Sequence, residues 1–200
     1  MYWVMTLQKF YGQVSRVNFS FSYRFCQTSL IFAKMKQKQK VSFDHFLEKF
    51  PEVDLPVILT EDAYSEFSRK NDPLPQLMIS QYLIHPDEVI SEEYDEYIPC
   101  FRLKGTEKFH AIVYWKAGLM DYQYVLITYD LKGAVIDRSI IAGTKVIGES
   151  LVRSVATVDE DWIIYVVAGV AQAESNTFDP SSSKSFHLEL LSTGKIINAD

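Results

Sequence analysis

Residues 43–83 carry apolar side chains at the spacing of short amphipathic helices. Ser42, a residue type that caps helix N-termini, precedes the first group, and Pro51 follows it. Thr60 is the predicted N-terminal cap of the second group, whose first turn holds two acidic residues, as the helix dipole favours. A third group follows the next turn and ends before His85. The pattern therefore predicts three helices, at about 43–50, at about 61–69 and one that ends near residue 83.

After Tyr97 the pattern changes from helical to extended. Runs of β-branched and aromatic residues alternate with turn signals, of which Asp130 to Gly133 is the clearest. Short connections favour antiparallel pairing of consecutive strands, because a parallel crossover needs about a dozen residues or more. The predicted strands lie at 97–103, 109–116, 122–129, 134–142, 151–158, 162–171 and 185–192, with a short tail at 195–198.

These elements predict an α+β protein. Short N-terminal helices precede an antiparallel β-meander of about seven or eight strands. Strands of this length twist, so the meander is expected to curl into a bent sheet, a partly open barrel or a sandwich. The stretch from Trp162 to Ala171 is almost continuously apolar, which predicts a strand buried on both faces. It is too short to cross a membrane as a helix.

Charge is unevenly distributed along the chain. The 200 residues hold 20 Lys and Arg and 26 Asp and Glu, for a formal net charge of −6. Residues 1–40 contain seven of the basic groups and no acidic group, so residues 41–200 hold 13 basic and 26 acidic groups and carry −13. This excess of acid argues against nucleic-acid binding, which needs a basic face. It suits a basic protein or peptide partner.

Residues 1–40 are predicted to be a basic N-terminal extension, and residues 41–200 a single globular domain with helices at about 43–83 and the meander at about 97–198. Three hypotheses explain the extension. In the first, it is sequence ahead of a native start at Met35, or a disordered segment. In the second, it is an arm that docks on an acidic partner or a membrane. In the third, it is an additional strand. A secretory signal needs an apolar stretch of about 7–15 residues, and residues 30–33 give only four. With no signal peptide, lipid-attachment motif or transmembrane helix evident, the sequence predicts a cytoplasmic location.

Parts of the chain resemble uncharacterised proteins that are common in the Bacteroidota. The resemblance rests on Phe46 and Phe50 ahead of Val53-Asp54-Leu55-Pro56, on the strand from Phe109 to Tyr114, and on the hairpin from Tyr124 to Asp137. It covers about residues 43–160. It implies an antiparallel β fold and carries no activity or site residues with it. Members of that group often look exported or lipid-anchored, and the present chain lacks the signal that would match.

Few residues are spaced as catalytic or metal-binding motifs. Cys26 and Cys100 lie 74 positions apart, which indicates neither a zinc site nor a redox pair. A nucleophilic Cys100 with His110 as its base is conceivable, but a lone cysteine in a strand is usually a small hydrophobic residue. His110 and His187 fall on predicted strands and would form a metal site if they met near Glu189. No dinucleotide, P-loop or hydrolase motif occurs, so no cofactor is predicted.

The aromatic strands suggest a function in binding. Tyrosine and tryptophan offer large contact areas at low entropic cost, so we expect a non-enzymatic binding or accessory module that recognises a protein, peptide or glycan through a sheet face. The structural alternative is that most of these rings pack in the core. The enzymatic alternative is a carboxylate- or metal-dependent hydrolase with its site in the sheet mouth. The candidate ligand-binding residues are Tyr114, Trp115, Tyr124, His110 and His187.

Overall fold

Ten strands form a single hydrogen-bonded sheet in the computed structural model, which describes residues 40–84, 95–119, 121–172 and 183–199. Two short strands, β1 (Glu52–Val53) and β2 (Val57–Leu59), come first. Eight more follow as a meander, in which each strand pairs with the next in antiparallel orientation. They are β3 (Glu96–Leu103), β4 (Phe109–Ala117), β5 (Asp121–Asp130), β6 (Val135–Ile147), β7 (Ser150–Val158), β8 (Ile163–Gln172), β9 (Lys184–Leu190) and β10 (Ile196–Asn198).

Three helical segments precede the meander in the described part of the chain. Ser42 caps the first, because its Oγ accepts a hydrogen bond from the backbone amide of His45. The predicted cap of the second, Thr60, is wrong, since that helix begins after Asp62 and Thr60 accepts the Ala63 amide only through its carbonyl. The segments are α1 (Phe43–Leu47), α2 (Ala63–Lys70) and α3 (Gln76–Met78), which continues into a π-helical turn (Ile79–Leu83).

Strand β7 changes its neighbour half-way along its length. Up to Ser154 it pairs with β6, and from Ala156 onward it pairs with β2. Its other edge pairs with β8 throughout. The hydrogen-bonded path ends at β10 on one side and on the other at β1, which runs parallel to β3. The sheet is therefore bent and mixed, and it does not close into a barrel.

One face of the sheet encloses the larger hydrophobic core. Side chains from β3 to β9 pack there, and α2 covers them with Tyr64, whose ring stacks on Trp115 at 4.5 Å between centroids. Asn71, just after α2, donates hydrogen bonds to the carbonyls of Pro99 and Cys100, where the β3–β4 register shifts. These contacts hold α2, and with it the turn that precedes it, against the sheet.

The opposite face of β3, β4 and β5 is covered by α1 and by the α3 segment. Phe46 is fully buried in this second core, where its ring centroid lies 4.6 Å from that of Tyr82. The hydroxyl of Tyr129 donates a 2.7 Å hydrogen bond to the carbonyl of Tyr82, which ties β5 to the helical layer. These three strands are thus buried on both faces.

The hairpin between β5 and β6 is closed by Asp130, as its sequence predicts. The Asp130 carboxylate accepts hydrogen bonds from the amides of Lys132 (2.8 Å) and Ala134 (2.9 Å), and Gly133 supplies the positive φ of the turn. The hydrogen bond from the Ala134 amide, together with the others in the turn, lowers the pKa of Asp130 below its usual range. The ionised form is therefore the one that the fold stabilises.

This pKa shift predicts how stability depends on pH. A carboxyl whose pKa is lower in the folded state stabilises the protein at neutral pH, and that contribution is lost as the pH falls through the folded-state value. Urea unfolding of the wild type and of Asp130→Asn should therefore differ most near neutrality and converge as the pH falls below the usual pKa of an aspartate side chain. A difference between the two proteins that grows with acidification would contradict the role of Asp130.

The predicted α+β fold, with helices followed by a curled antiparallel meander, is confirmed. The prediction that Trp162 to Ala171 is buried on both faces is wrong. Trp162 lies in the turn before β8 with a positive φ, and Tyr165 and Val167 are 48% and 49% exposed. Residues Lys40–Asp200 form one compact unit. Residues 1–39 of the predicted extension lie outside the described residues. None of the helices described is long and apolar enough to span a bilayer.

Candidate functional site

A pocket of about 210 Å³ opens where β7 leaves β6 and takes β2 as its neighbour. The turn before α2 forms one wall, β5 contributes two tyrosines, and β6 and β7 form the remaining walls. Because the two halves of β7 pair with different strands, the sheet separates at this point. The lining residues are Thr60, Glu61, Asp62, Tyr122, Tyr124, Gly143, Thr144, Arg153, Ser154 and Val155.

Gly143 shapes the wall of this pocket. Its φ is +147°, and a Cβ built there would lie 2.2 Å from the carbonyl oxygen of Tyr122. Only glycine allows the two backbones to approach this closely. The register of β5 against β6 shifts next to it, between Tyr124 and Val125. The close approach of the strands therefore brings the tyrosine side chains of β5 and Thr144 to the pocket.

Charged and hydroxyl groups meet inside the pocket. Thr144 donates a 2.8 Å hydrogen bond from Oγ1 to the Tyr122 hydroxyl, and a guanidinium nitrogen of Arg153 lies 3.8 Å from a carboxylate oxygen of Glu61. The Tyr124 hydroxyl donates to the carbonyl of Thr60 at 3.0 Å. Burial, and then the Glu61 carboxylate, raise the pKa of Tyr122, while burial raises that of Tyr124. Both phenols therefore stay protonated at neutral pH.

A second feature adjoins the pocket, and we call it the outer face. It is the face of β2, β7, β8, β9 and β10 that points away from the larger core. Cross-strand pairs make it continuous, since Val155 lies opposite Val167, and Thr157 lies between Ile58 and Tyr165. Ile58 is 63% exposed and Val155, which also lines the pocket, is 41% exposed. The outer face includes Ile58, Val155, Thr157, Tyr165, Val167, His187, Glu189 and Ile197.

Acidic residues border the outer face on two sides. The β7–β8 turn at one end is Asp159-Glu160-Asp161, and the turn with Glu61 and Asp62 lies beyond Val155 at the pocket. Two basic residues also lie nearby, Arg153, which pairs with Glu61, and Lys184 at the start of β9. The border is therefore predominantly acidic around an apolar centre.

Two of the five candidate residues from the sequence lie at these features. Tyr124 is buried but its hydroxyl reaches the pocket, and His187 pairs with Tyr165 across the outer face, at 6.3 Å between ring centroids. Tyr114 and Trp115 are buried on opposite faces of β4, in the second and the larger core respectively. The structure thus places these two rings where the packing alternative expected them.

His110 and His187 do not come together. His110 is half-buried next to the ring of Phe43, at 5.7 Å, and burial lowers its pKa. The strands of the two histidines are separated in the sheet by β5 to β8. Within the described ranges, no group of three His, Cys, Asp or Glu side chains is placed to hold a metal ion. The structure therefore does not form the predicted cluster of these histidines with Glu189.

Cys100 cannot act as the nucleophile that its sequence allowed. Its side chain is fully buried, and burial raises the pKa of its thiol well above the usual range. The Sγ atom donates a long hydrogen bond to the carbonyl of Ile98. Cys100 is a small residue of β3 in the larger core.

The charged residues of the pocket were not predicted from the sequence to form a site. Glu61 and Asp62 looked like the acidic first turn of a helix, yet both precede α2, and Asp62 makes no capping hydrogen bond with its side chain. Arg153 carried no signal of its own. The predicted strand ends at residue 142, whereas β6 continues to Ile147, so Gly143 lies inside the strand, where a glycine often marks a bulge.

The chain matches no family model, no curated protein and no solved structure.

Proposed function

We propose that this protein is a non-enzymatic binding module whose outer face docks on a basic protein or peptide. The observation that carries the proposal is the continuous set of exposed side chains across β2, β7 and β8. Ile58, Val155, Tyr165 and Val167 are β-branched or aromatic, and each is at least two-fifths exposed. Contiguous apolar surface with a polar border is typical of protein interaction sites.

The charge of the domain supports a basic partner. Residues 41–200 carry −13, and acidic turns flank the outer face at the β7–β8 connection and at the pocket. An acidic border speeds encounter with a basic surface and disfavours acidic proteins, while the apolar centre supplies most of the affinity. We therefore expect binding that weakens as ionic strength increases.

A pair of lysine variants tests the proposal on the full chain. Val167→Lys places a charge at the centre of the outer face and should weaken binding about tenfold or more. Ile140→Lys makes the same change at a comparably exposed position of β6, outside that face, and should bind like the wild type. The probe is a synthetic peptide of alternating lysine and valine, with a glutamate–valine peptide as the charge-reversed control, measured by calorimetry at two salt concentrations.

The outcomes separate the alternatives. Binding of the lysine peptide that is lost in Val167→Lys and kept in Ile140→Lys supports the proposal. Equal losses in the two variants would show that only net charge matters and would overturn it. So would preference for the glutamate peptide, or no binding of the lysine peptide to the wild type.

A further inference from the structure

The pocket has a chemistry that docking of a protein on the outer face does not use. Its volume of about 210 Å³ lies below the range of about 300–1,000 Å³ that is typical for drug-sized ligands. A single six-membered ring with its substituents is therefore a suitable size for an occupant. The charges and hydrogen-bonding groups of the lining then determine which kind of ring binds.

The charges of the lining nearly cancel. Glu61 and Asp62 supply two carboxylates, Arg153 supplies one guanidinium, and the N-terminus of α2 adds about half a positive charge. With such a balance, the lining offers little net electrostatic attraction to either a phosphate or an ammonium group. A neutral ligand has the smallest desolvation cost on entering the pocket.

The geometry of the ion pair favours hydroxyl groups in particular. The 3.8 Å between Arg153 and Glu61 is longer than a direct charged hydrogen bond of about 2.8 Å, and an oxygen can lie beside both groups. A hydroxyl accepts from the guanidinium and donates to the carboxylate at once. An ammonium only donates and a carboxylate only accepts.

The remaining walls suit the same ligand. The Tyr124 hydroxyl uses its proton on the Thr60 carbonyl and one acceptor position on the Tyr64 backbone amide, so a ligand can only donate to its remaining lone pair. The Asp62 carboxylate makes no capping hydrogen bond and lies in the lining. The half-buried ring of Tyr122 offers an aromatic surface for the C–H faces of a saturated ring.

We propose that this pocket binds one neutral pyranose, as a free sugar or as a residue of a glycan. Glu61, Asp62 and Arg153 hold its hydroxyl groups, and Tyr122 packs against its ring. This site is separate from the protein-docking role of the outer face, although Val155 belongs to both. With so few ligand atoms, a Kd on the order of 1 mM is expected.

Amide NMR titrations of the full chain test this site. The probes are the methyl glycosides of glucose, galactose, mannose and xylose. Nα-acetyl-lysine amide, which keeps its side-chain ammonium group, is the cationic probe, and inorganic phosphate is the anionic probe. We expect at least one glycoside to shift the amide signals of residues 60–62, Tyr122 and Thr144, while the two charged probes do not. Val167→Lys should leave these shifts unchanged, which separates this test from that of the outer face.

Two conservative variants and a control complete the experiment. Glu61→Gln keeps the size of the side chain and removes its charge, and it should weaken glycoside binding about tenfold. Tyr122→Phe keeps the ring and removes the hydroxyl, so it should weaken glycoside binding by a smaller factor. Glu66→Gln, on the exposed surface of α2 where Glu66 pairs with Lys70, should change nothing.

Three results would overturn the pyranose site. These are the absence of shifts with all four glycosides, shifts with only the lysine amide or phosphate, and an equal loss in Glu61→Gln and Glu66→Gln.

Discussion

Truncation of Phe46 to alanine is expected to destabilise the protein by about 3–5 kcal/mol. Phe46 is a fully buried residue of α1, and its ring centroid lies 4.6 Å from that of Tyr82 and 5.1 Å from that of Phe50. The variant would leave a ring-sized cavity between the helices and β5. Because neighbouring aromatic rings collapse poorly into such a space, most of the lost packing energy should appear in the free energy of unfolding.

Urea unfolding followed by circular dichroism measures this loss. Leu131→Ala is the matched control, since Leu131 is an exposed large side chain in the β5–β6 turn and its truncation should change stability by no more than about 0.5 kcal/mol. Similar losses in the two variants would mean that the helical layer contributes little to the fold. The sheet would then have to be stable with one face of β3 to β5 uncovered.

Local signals explain why the meander could be predicted. Each hairpin is short, and its turn residues act within a few positions, as Asp130 does on the amides of Lys132 and Ala134. Gly194 likewise has a φ of +83° in the turn between β9 and β10. Strand pairing between sequence neighbours then follows from chain connectivity.

Non-local strand pairing explains why β1, β2 and the pocket could not be predicted from the sequence. Strands β1 and β2 have two and three residues, too few for a visible alternation, and β2 pairs with β7 about a hundred positions later. Once β2 occupies the second half of β7, β6 has to diverge, and the pocket forms there. No property of Glu61 or Arg153 by itself indicates that they meet.

Composition alone also misled the prediction for β8. Its residues are apolar on both sides, and an apolar run is typical of a doubly buried strand. In the structure, Ile164 and Val166 face the larger core while Tyr165 and Val167 lie on the outer face. A periodic pattern reports which residues share a face, but it does not report whether another element covers that face.

Replacement of Gly143 by alanine should affect both stability and the pocket. The added Cβ would lie 2.2 Å from the Tyr122 carbonyl oxygen and 2.8 Å from the Gln123 Cα, both of which belong to the backbone. A rotamer change cannot relieve such a contact, so β5 and β6 must move apart. With the cost of a strained φ added, we expect a loss of about 3 kcal/mol or more in the free energy of unfolding.

Gly148→Ala provides the control for conformational strain alone. Gly148 also has a positive φ, +62°, but a Cβ there would meet no atom within 4 Å. Its substitution should therefore cost only about 1 kcal/mol. Equal costs at the two glycines would show that β5 and β6 tolerate separation, and the close approach would then not be a requirement of the fold.

The same variant links the fold to the site. Separation of the strands at Gly143 would displace Tyr122 from Thr144, whose hydroxyl now donates to it at 2.8 Å, and would move the aromatic wall away from Glu61. Under conditions where Gly143→Ala is still folded, its glycoside-induced shifts should be reduced more than those of Gly148→Ala. This comparison separates a loss of pocket geometry from a general loss of stability, because both variants are measured in the folded state.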